Sequence, residues 1–296
     1  MAKIGLVTVL YKCDEVLPDF FKSISIQTHK DYILYLIDNS ASEATDQLIA
    51  RCLEQYPVTA FKYVNTGGNI GVAAGNNAGI QLSLKDQCDH ILLLNNDIEI
   101  EQEYMFSQLL SLADQKGEVI IVPKIYYYGE QKLWMAGGYM DEWRALGVHY
   151  GMNQQDGPAF NVAKYCTYAP TCFMLLKKEV FEQTGLMDER YFAYYDDTDF
   201  VLRATRKGYR IYYDPTLVLH HKVSSSTGTN SPFYVYYSNR NKIYFIRKNF
   251  RGFRRYFALG YTLLSRVAFW LGFDKVRKQK LVQGLREGFR MKPGND

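Results

Sequence analysis

Cysteine is scarce and scattered here: five residues in 296, at positions 13, 52, 88, 166 and 172, with no CxxC pair and no cysteine–histidine cluster. That spacing argues against a structural zinc site or a disulfide scaffold and fits reduced core thiols of a cytosolic protein. Cys166 and Cys172 are near enough in sequence to pair, but a place in flanking strands is the simpler reading. Other familiar signatures are also missing. Met1-Ala2-Lys3 runs straight into an apolar strand pattern, with no leader-like segment between. No GxGxxG follows that strand, and no Lys-Ser/Thr follows a glycine-rich loop, so the two usual nucleotide-loop readings fail. The apolar stretch at 256–273 has 18 residues with Arg266 inside, which is marginal for crossing a bilayer. No internal repeat and no low-complexity linker interrupts the chain.

What is present is globular but lopsided in charge. An apolar fraction of 47% over 296 residues supports one large or two modest domains. The net charge of +4 hides 13 Lys/Arg against Asp274 and Glu287 between Arg247 and Lys292, while residues 1–246 carry 22 basic and 28 acidic side chains. An acidic globule with a basic tail is a statement about partners. No nucleic-acid recognition module accompanies that tail, so nucleic acid is not expected.

Strand patterns at 4–10, 32–38, 59–64, 91–94 and 119–125 alternate with helical ones at 16–25, 42–54, 72–84 and 104–116. This is the signature of a parallel, doubly wound α/β sheet, with ligand-facing residues just past the strand ends. Residues 126–168 break into short glycine- and tyrosine-rich pieces, read as hairpins or a flap. A strand at 172–176, helices at 178–183 and 197–206, and short strands at 210–213 and 217–220 follow, before a helical, basic region from about Ser231.

Three segments carry chemistry. The apolar run His90-Ile91-Leu92-Leu93-Leu94 stops abruptly at Asn95-Asn96-Asp97. A carboxylate at such a strand end suits a hard divalent cation that also takes phosphate oxygens. Capping of the next helix is the competing reading, and both stay open. In the glycine-rich 65–79 segment, Gly71, Gly75 and Gly79 form one stripe on a helix, which favours close packing. Asn69 and Asn77 read equally as donors to a phosphate or base and as structural amides. Asp196, Asp197 and Asp199 crowd one helix start, where mutual repulsion raises at least one pKa and suits a general base. Of the tandem His220 and His221, at most one reaches a common metal, because neighbours on a strand face opposite ways. His221 is the choice, with His220 in the core. The Ser/Thr-Gly run at 224–228 reads as a loop that orders around phosphate.

In order along the chain, Thr8-Val9-Leu10-Tyr11, Asp38-Asn39-Ser40, Asn69-Ile70-Gly71, Gly75-Asn76-Asn77-Ala78-Gly79, Leu94-Asn95-Asn96-Asp97, Cys172-Phe173-Met174, Gly185-Leu186-Met187-Asp188-Glu189, Tyr195-Asp196-Asp197-Thr198-Asp199 and His221-Lys222-Val223-Ser224 resemble the inverting family-two glycosyltransferases. The resemblance spans roughly residues 4–250 and is strongest to the rhamnosyltransferase branch of bacterial surface polysaccharide synthesis. It implies a GT-A fold: a mostly parallel sheet flanked by helices, over 1–230, with 1–126 as the nucleotide half, 127–230 as the acceptor and catalytic half, and 231–296 as a helical extension.

It implies roles as well. Asp38 would contact a pyrimidine base, with Thr8, Val9 and Tyr11 supporting the nucleoside and Asn69, Asn77, Asn95 and Asn96 as further donor contacts. Asp97 and His221 would hold a divalent metal, Mn2+ or Mg2+. Asp197, or else Asp196, would be the base. Asn95 stands where the family's metal motif begins with Asp, and an amide coordinates a cation more weakly. The donor would be a dTDP- or UDP-linked sugar, L-rhamnose among the candidates, and the acceptor a glycan or a polyprenyl-diphosphate-linked glycan. Basic flanks around the 256–273 stretch suit a helix lying on the anionic inner face of the cell membrane, with packing on the globule or on a second copy of the chain as the alternative. A non-catalytic nucleotide-sugar or glycan-binding module on the same fold is the competing function.

Overall fold

The computed structural model of the chain describes residues 2–222 and 231–294. Strands β1 (Ile4–Leu10), β2 (Tyr32–Asp38), β3 (Phe61–Asn65) and β4 (His90–Leu94) alternate with helices α1 (Leu17–Ser25), α2 (Glu43–Gln55) and α3 (Val72–Lys85). β1, β2 and β4 are almost wholly buried, as strands covered on both faces must be. β3 is the exposed edge. The chain continues through β5 (Ile98–Glu99), α4 (Met105–Gln115), β6 (Ile120–Tyr127), β7 (Leu133–Met135), β8 (Gly138–Asp141), β9 (Leu146–His149), β10 (Lys164–Cys166), β11 (Phe173–Lys177), α5 (Lys178–Thr184), α6 (Asp196–Arg206) and β12 (Ile211–His221). Helices α7 (Pro232–Asn249), α8 (Gly252–Gly272) and α9 (Lys275–Arg290) complete it.

The main sheet runs β10-β12-β6-β11-β4-β1-β2-β3, with β5 added to β12 and β7 to β6. β1 to β4 pair in parallel, but β11 lies antiparallel between β4 and β6. The sheet is therefore mixed rather than wholly parallel. Strands expected at 210–213 and 217–220 are one strand, β12, whose register shifts between Asp214 and Val218. The glycine- and tyrosine-rich stretch forms the expected hairpins, β6 with β7 and β8 with β9.

The glycine stripe packs α3 directly on β1. A Cβ on Gly75 would lie 2.8 Å from Val9, and one on Gly79 would lie 2.3 Å from Val7. All five cysteines are free and buried, Cys166 ending β10 and Cys172 just preceding β11. At the C-terminal end α7 and α9 lie side by side, with Gly284 against Tyr236 and Gly288 against Arg240. α8 buries only Ala258 and Thr262. No helix among the described residues is long and apolar enough to cross a membrane. The Ser/Thr-Gly run at 224–228 falls outside the described residues.

Candidate active site

Two residues of β5 set the first half of the site. Ile98 pairs with His221 and Glu99 with His220, which brings Asp97 beside the end of β12. His221 Nε2 then sits 3.1 Å from Asp97 Oδ1, and the Lys222 amide donates to the Asp97 carbonyl at 2.7 Å. His220 turns away, its ring centroid 5.8 Å from that of Tyr126. The capping reading of Asp97 falls away, since α4 starts only at Met105 and has no side-chain cap. Asn96 donates to the Val9 carbonyl at 2.7 Å and ties this loop to the end of β1. Asn95 is anchored by its backbone amide to Cys172 and leaves its side chain exposed.

A separation of 3.1 Å suits adjacent ligands of one cation, since right-angled bonds of ~2.1 Å place their donors ~3.0 Å apart. No cluster of three or more His, Cys, Asp or Glu suited to a metal occurs among the described residues. The other coordination positions would thus fall to phosphate oxygens and water, which is how Mg2+-like ions usually bind. The donor set fits. His221 Nδ1 finds no acceptor, and the Trp134 ring edge, 4.5 Å away between centroids, is what orients the imidazole.

Past the ends of β1 and β2 lies a cavity of about 390 Å³ lined by Lys12, Cys13, Asp14, Ser40, Ser42 and Thr45. Asp38 is wholly buried behind it; its carboxylate accepts from the Ser40 amide (2.8 Å) and the Tyr63 hydroxyl (2.8 Å). Thr8 is buried with its hydroxyl unpartnered, while Val9 and Tyr11 are half-buried at the strand end. Asn69 is exposed and closes its own turn by accepting the Gly71 amide at 3.0 Å. Asn77 departs from expectation. Its amide donates to the Met187 carbonyl and Glu189, and its oxygen accepts the Met187 amide, each at 2.9 Å. It pins α3 to the 187–189 segment instead of contacting a donor. A larger groove of about 500 Å³, lined by Trp270, Lys278, Arg286 and Arg290, opens between α8 and α9, and none of these carboxylates lines it.

The second half of the site is held under strain. Phe192, Tyr194 and Tyr195 adopt φ of 65°, 65° and 69° just before α6 begins. Left-handed conformations in such residues cost about 1–3 kcal/mol each and persist only when the surroundings impose them. Here Asn241 Nδ2 reaches the carbonyls of Tyr191 (2.7 Å), Ala193 (2.7 Å) and Tyr194 (2.9 Å). Arg240 bonds the Arg190 and Tyr191 carbonyls at 2.8 Å, and the Val72 amide caps the Phe192 carbonyl at 2.6 Å.

The three crowded carboxylates divide their work. Asp199 is fully buried and bonded to Tyr191, Arg203, Lys248 and Asn249, so it is structural. Asp196 is 4% exposed, whereas Asp197 is half-buried and accepts from the Tyr168 hydroxyl at 3.2 Å and the Thr198 amide at 2.6 Å. Burial raises the pKa of both Asp196 and Asp197, and for Asp196 the neighbouring Asp197 charge adds to it. The expected repulsion is present, but desolvation is the larger cause.

Cys172 feels the charge of both halves. Burial pushes its thiol pKa well up, and the charges of both Asp97 and Asp197 push it further. A continuous run of rings also joins them. From His221 it passes to Trp134, to His149 (4.6 Å) and to Tyr168 (5.9 Å), whose hydroxyl reaches Asp197. Trp134, His149 and Tyr168 come from the hairpin region, where no local pattern marked them. Arg240 and Asn241 did leave a signal: Asn239-Arg240-Asn241-Lys242 is a polar block inside an aromatic-rich helix.

The sequence profile described as Glycosyl transferase family 2 matches residues 6–185, from β1 through α5. The chain belongs to that family. Over 267 residues the transferase is 26% identical to the low-salt glycan biosynthesis hexosyltransferase Agl10 of Haloferax volcanii, covering 88% of this chain and 80% of that one. It is 24% identical over 314 residues to the N-acetylglucosaminyl-diphospho-decaprenol L-rhamnosyltransferase of Mycobacterium tuberculosis, covering 94% and 97% of the two chains. Among solved structures it resembles mannosyltransferase PcManGT from Pyrobaculum calidifontis, captured with GDP-Man and Mn2+. That match has a TM-score of 0.59 at 11% identity, covers 97% of this chain and 86% of that one, and speaks to the fold alone. The transferase therefore has a GT-A-like α/β fold, and its family moves sugars from nucleotide-linked donors.

Proposed function

We propose that this transferase moves a sugar, with inversion, from a pyrimidine nucleoside-diphosphate sugar to a glycan or polyprenyl-diphosphate-linked acceptor in bacterial surface polysaccharide synthesis. The observation that carries this reading is the Asp97–His221 pair, joined through the packed rings of Trp134, His149 and Tyr168 to Asp197. The name of the mycobacterial relative makes L-rhamnose the first sugar to test and a lipid diphosphate the first acceptor.

In this reading residues 1–126 receive the donor and 127–230 present the acceptor side. The base lies in the cavity past the ends of β1 and β2. Each Asp38 oxygen keeps a lone pair, and one suffices for a pyrimidine imide. Asn95, at the open strand end, faces the ribose and diphosphate. Asp97 and His221 would hold Mn2+ or Mg2+, which when bound offsets the charge of the leaving diphosphate. Asp197 takes the acceptor hydroxyl proton. It is preferred to Asp196 because it is the more exposed of the pair and already exchanges hydrogen bonds with hydroxyl groups at Tyr168 and Thr198. A raised pKa strengthens a carboxylate as a base, provided it is ionised at the working pH.

The peripheral placement at the inner membrane face rests on α8. Phe253, Tyr256, Leu264, Val267 and Leu271 are 58–75% exposed there, between basic flanks. A second copy of the chain is the other occupant that face would suit.

The deciding experiment is diphosphate release from a panel of nucleotide sugars, with and without acceptor. Asp197→Asn should lose ~10²–10⁴-fold in turnover while retaining donor binding. Near wild-type turnover in that variant would remove Asp197 as the base. A wild-type chain that binds nucleotide sugars but never cleaves them would instead be a binding module.

A further inference from the structure

Lys242, on α7, is a cation 4% exposed that the chemistry above does not use, with no carboxylate at salt-bridge distance among the described residues. Its neighbours add positive charge. Burial, then Arg266 and Arg144, push its pKa down to about 8, opposed only by Asp141. That carboxylate is already engaged, accepting from Arg144 Nε at 2.6 Å and from the Arg144 amide at 2.8 Å. Arg266 reaches across from α8 to Asn239, one turn before Lys242, so its own partner is a neutral amide. The Tyr261 ring lies 5.9 Å from the Lys242 ammonium, and the next residue, Thr262, is fully buried with an unpartnered hydroxyl. Three cations thus share one occupied carboxylate. A buried charge without a partner is unfavourable, and so is a buried hydroxyl without one.

The location is informative. Tyr195, the residue before Asp196, has its phenol pKa raised by burial, lowered by Arg266 and raised by Asp197. Asn241, next to Lys242 on α7, bonds the Tyr194 carbonyl at 2.9 Å, so the cationic group lies beside the segment that carries Asp197. The helix that supplies Arg266 also carries the exposed apolar residues Leu264, Val267 and Leu271.

We propose that Lys242, Arg144 and Arg266 bind the phosphate of a lipid-phosphate acceptor, seating it on the acceptor side of Asp197 while its hydrocarbon chain follows the exposed side of α8. The proposal rests on the lipid-linked acceptor reading above and adds the residues that recognise it. A phosphate supplies the missing charge through charge-assisted hydrogen bonds. Phospholipid head groups share this chemistry, so the test separates the two sources.

Full-length protein is titrated calorimetrically with farnesyl diphosphate below its micelle-forming concentration, with inorganic pyrophosphate as competitor. Vesicles of phosphatidylglycerol are the second arm. The wild type should bind farnesyl diphosphate, pyrophosphate should compete, and Lys242→Met should weaken binding by ~10–100-fold. Circular dichroism and dTDP binding report whether the variant folds. Should Lys242→Met not fold, Arg266→Gln, at a half-buried helix position, makes the same comparison. Unchanged affinity in a folded variant overturns the proposal. So does a wild type that binds the vesicles but not farnesyl diphosphate, which would assign the cluster to bilayer lipid. The binding assay needs no turnover. Failure of sugar transfer from every donor in the panel would therefore count against the function without deciding this site.

Discussion

Asp97 and Asp196 are both aspartates of the proposed site, yet their surroundings ask different things of them. Asp97 is only partly buried and has an imidazole nitrogen at 3.1 Å, an arrangement of donors that suits a cation. Asp97→Ala should therefore remove the Mn2+-dependent part of donor affinity. Calorimetry with a nucleotide sugar should give the same Kd with and without Mn2+ in that variant, and different values in the wild type. Asp196 is buried, and its raised pKa means the folded chain binds that proton more tightly than the unfolded chain does. Stability is consequently lost as pH rises above the ordinary aspartate value of 3.8, where the unfolded chain ionises freely. Asp196→Asn should raise Tm at neutral pH, and the gain should fade as pH approaches that value. A gain independent of pH would mean that charge is not its source.

At the scale of elements, the proposed base depends on helix α7. Asn241 reaches three carbonyls of the 191–194 segment; Tyr191 keeps Arg240 and the Ala193 amide without it, but the Ala193 carbonyl loses its donor, at about 1–3 kcal/mol for a buried acceptor left unsatisfied. Asn241→Ala should lower kcat strongly while leaving the donor KM nearly unchanged, because the donor side is built by β1, β2 and β4. Steady-state kinetics with donor and acceptor varied separately would check this. Legibility in the sequence follows the same division. β1 and β2 were readable to the residue because a fully buried strand is a continuous apolar run ended by polar residues. The antiparallel course of β11 was not, since a local pattern carries no strand direction. β5 has two residues, too few for any periodicity, yet it puts Asp97 against His221. Asp97, His221 and the acidic helix start stood out because charge at a strand or helix end is visible in sequence. Asn77 reads both ways in the sequence because an amide looks the same whether it faces a ligand or a backbone. Trp134, His149 and Tyr168 come together only through tertiary packing.

For the whole molecule, the acidic α/β body and the basic helical end meet water very differently. α8 leaves Leu264 at 75% and Leu271 at 70% exposure, between clusters of lysine and arginine. Apolar area with basic flanks gives membrane binding that weakens with salt. Wild-type protein should float with phosphatidylglycerol vesicles at low salt and less so at high salt, whereas Leu264→Ser combined with Leu271→Ser should stay at the bottom of the gradient. A wild type that sediments as a dimer and never floats would give that face to a second copy.

The segment that recognises the family ends at residue 185, but the clasp on the 191–194 carbonyls is Asn241, in a helix made much later. During synthesis on a ribosome, the half proposed to bind the nucleotide can close well before the half proposed to carry the base has anything to hold it. A gene truncated at residue 230 should accordingly yield a chain that still recognises nucleotides and no longer turns them over.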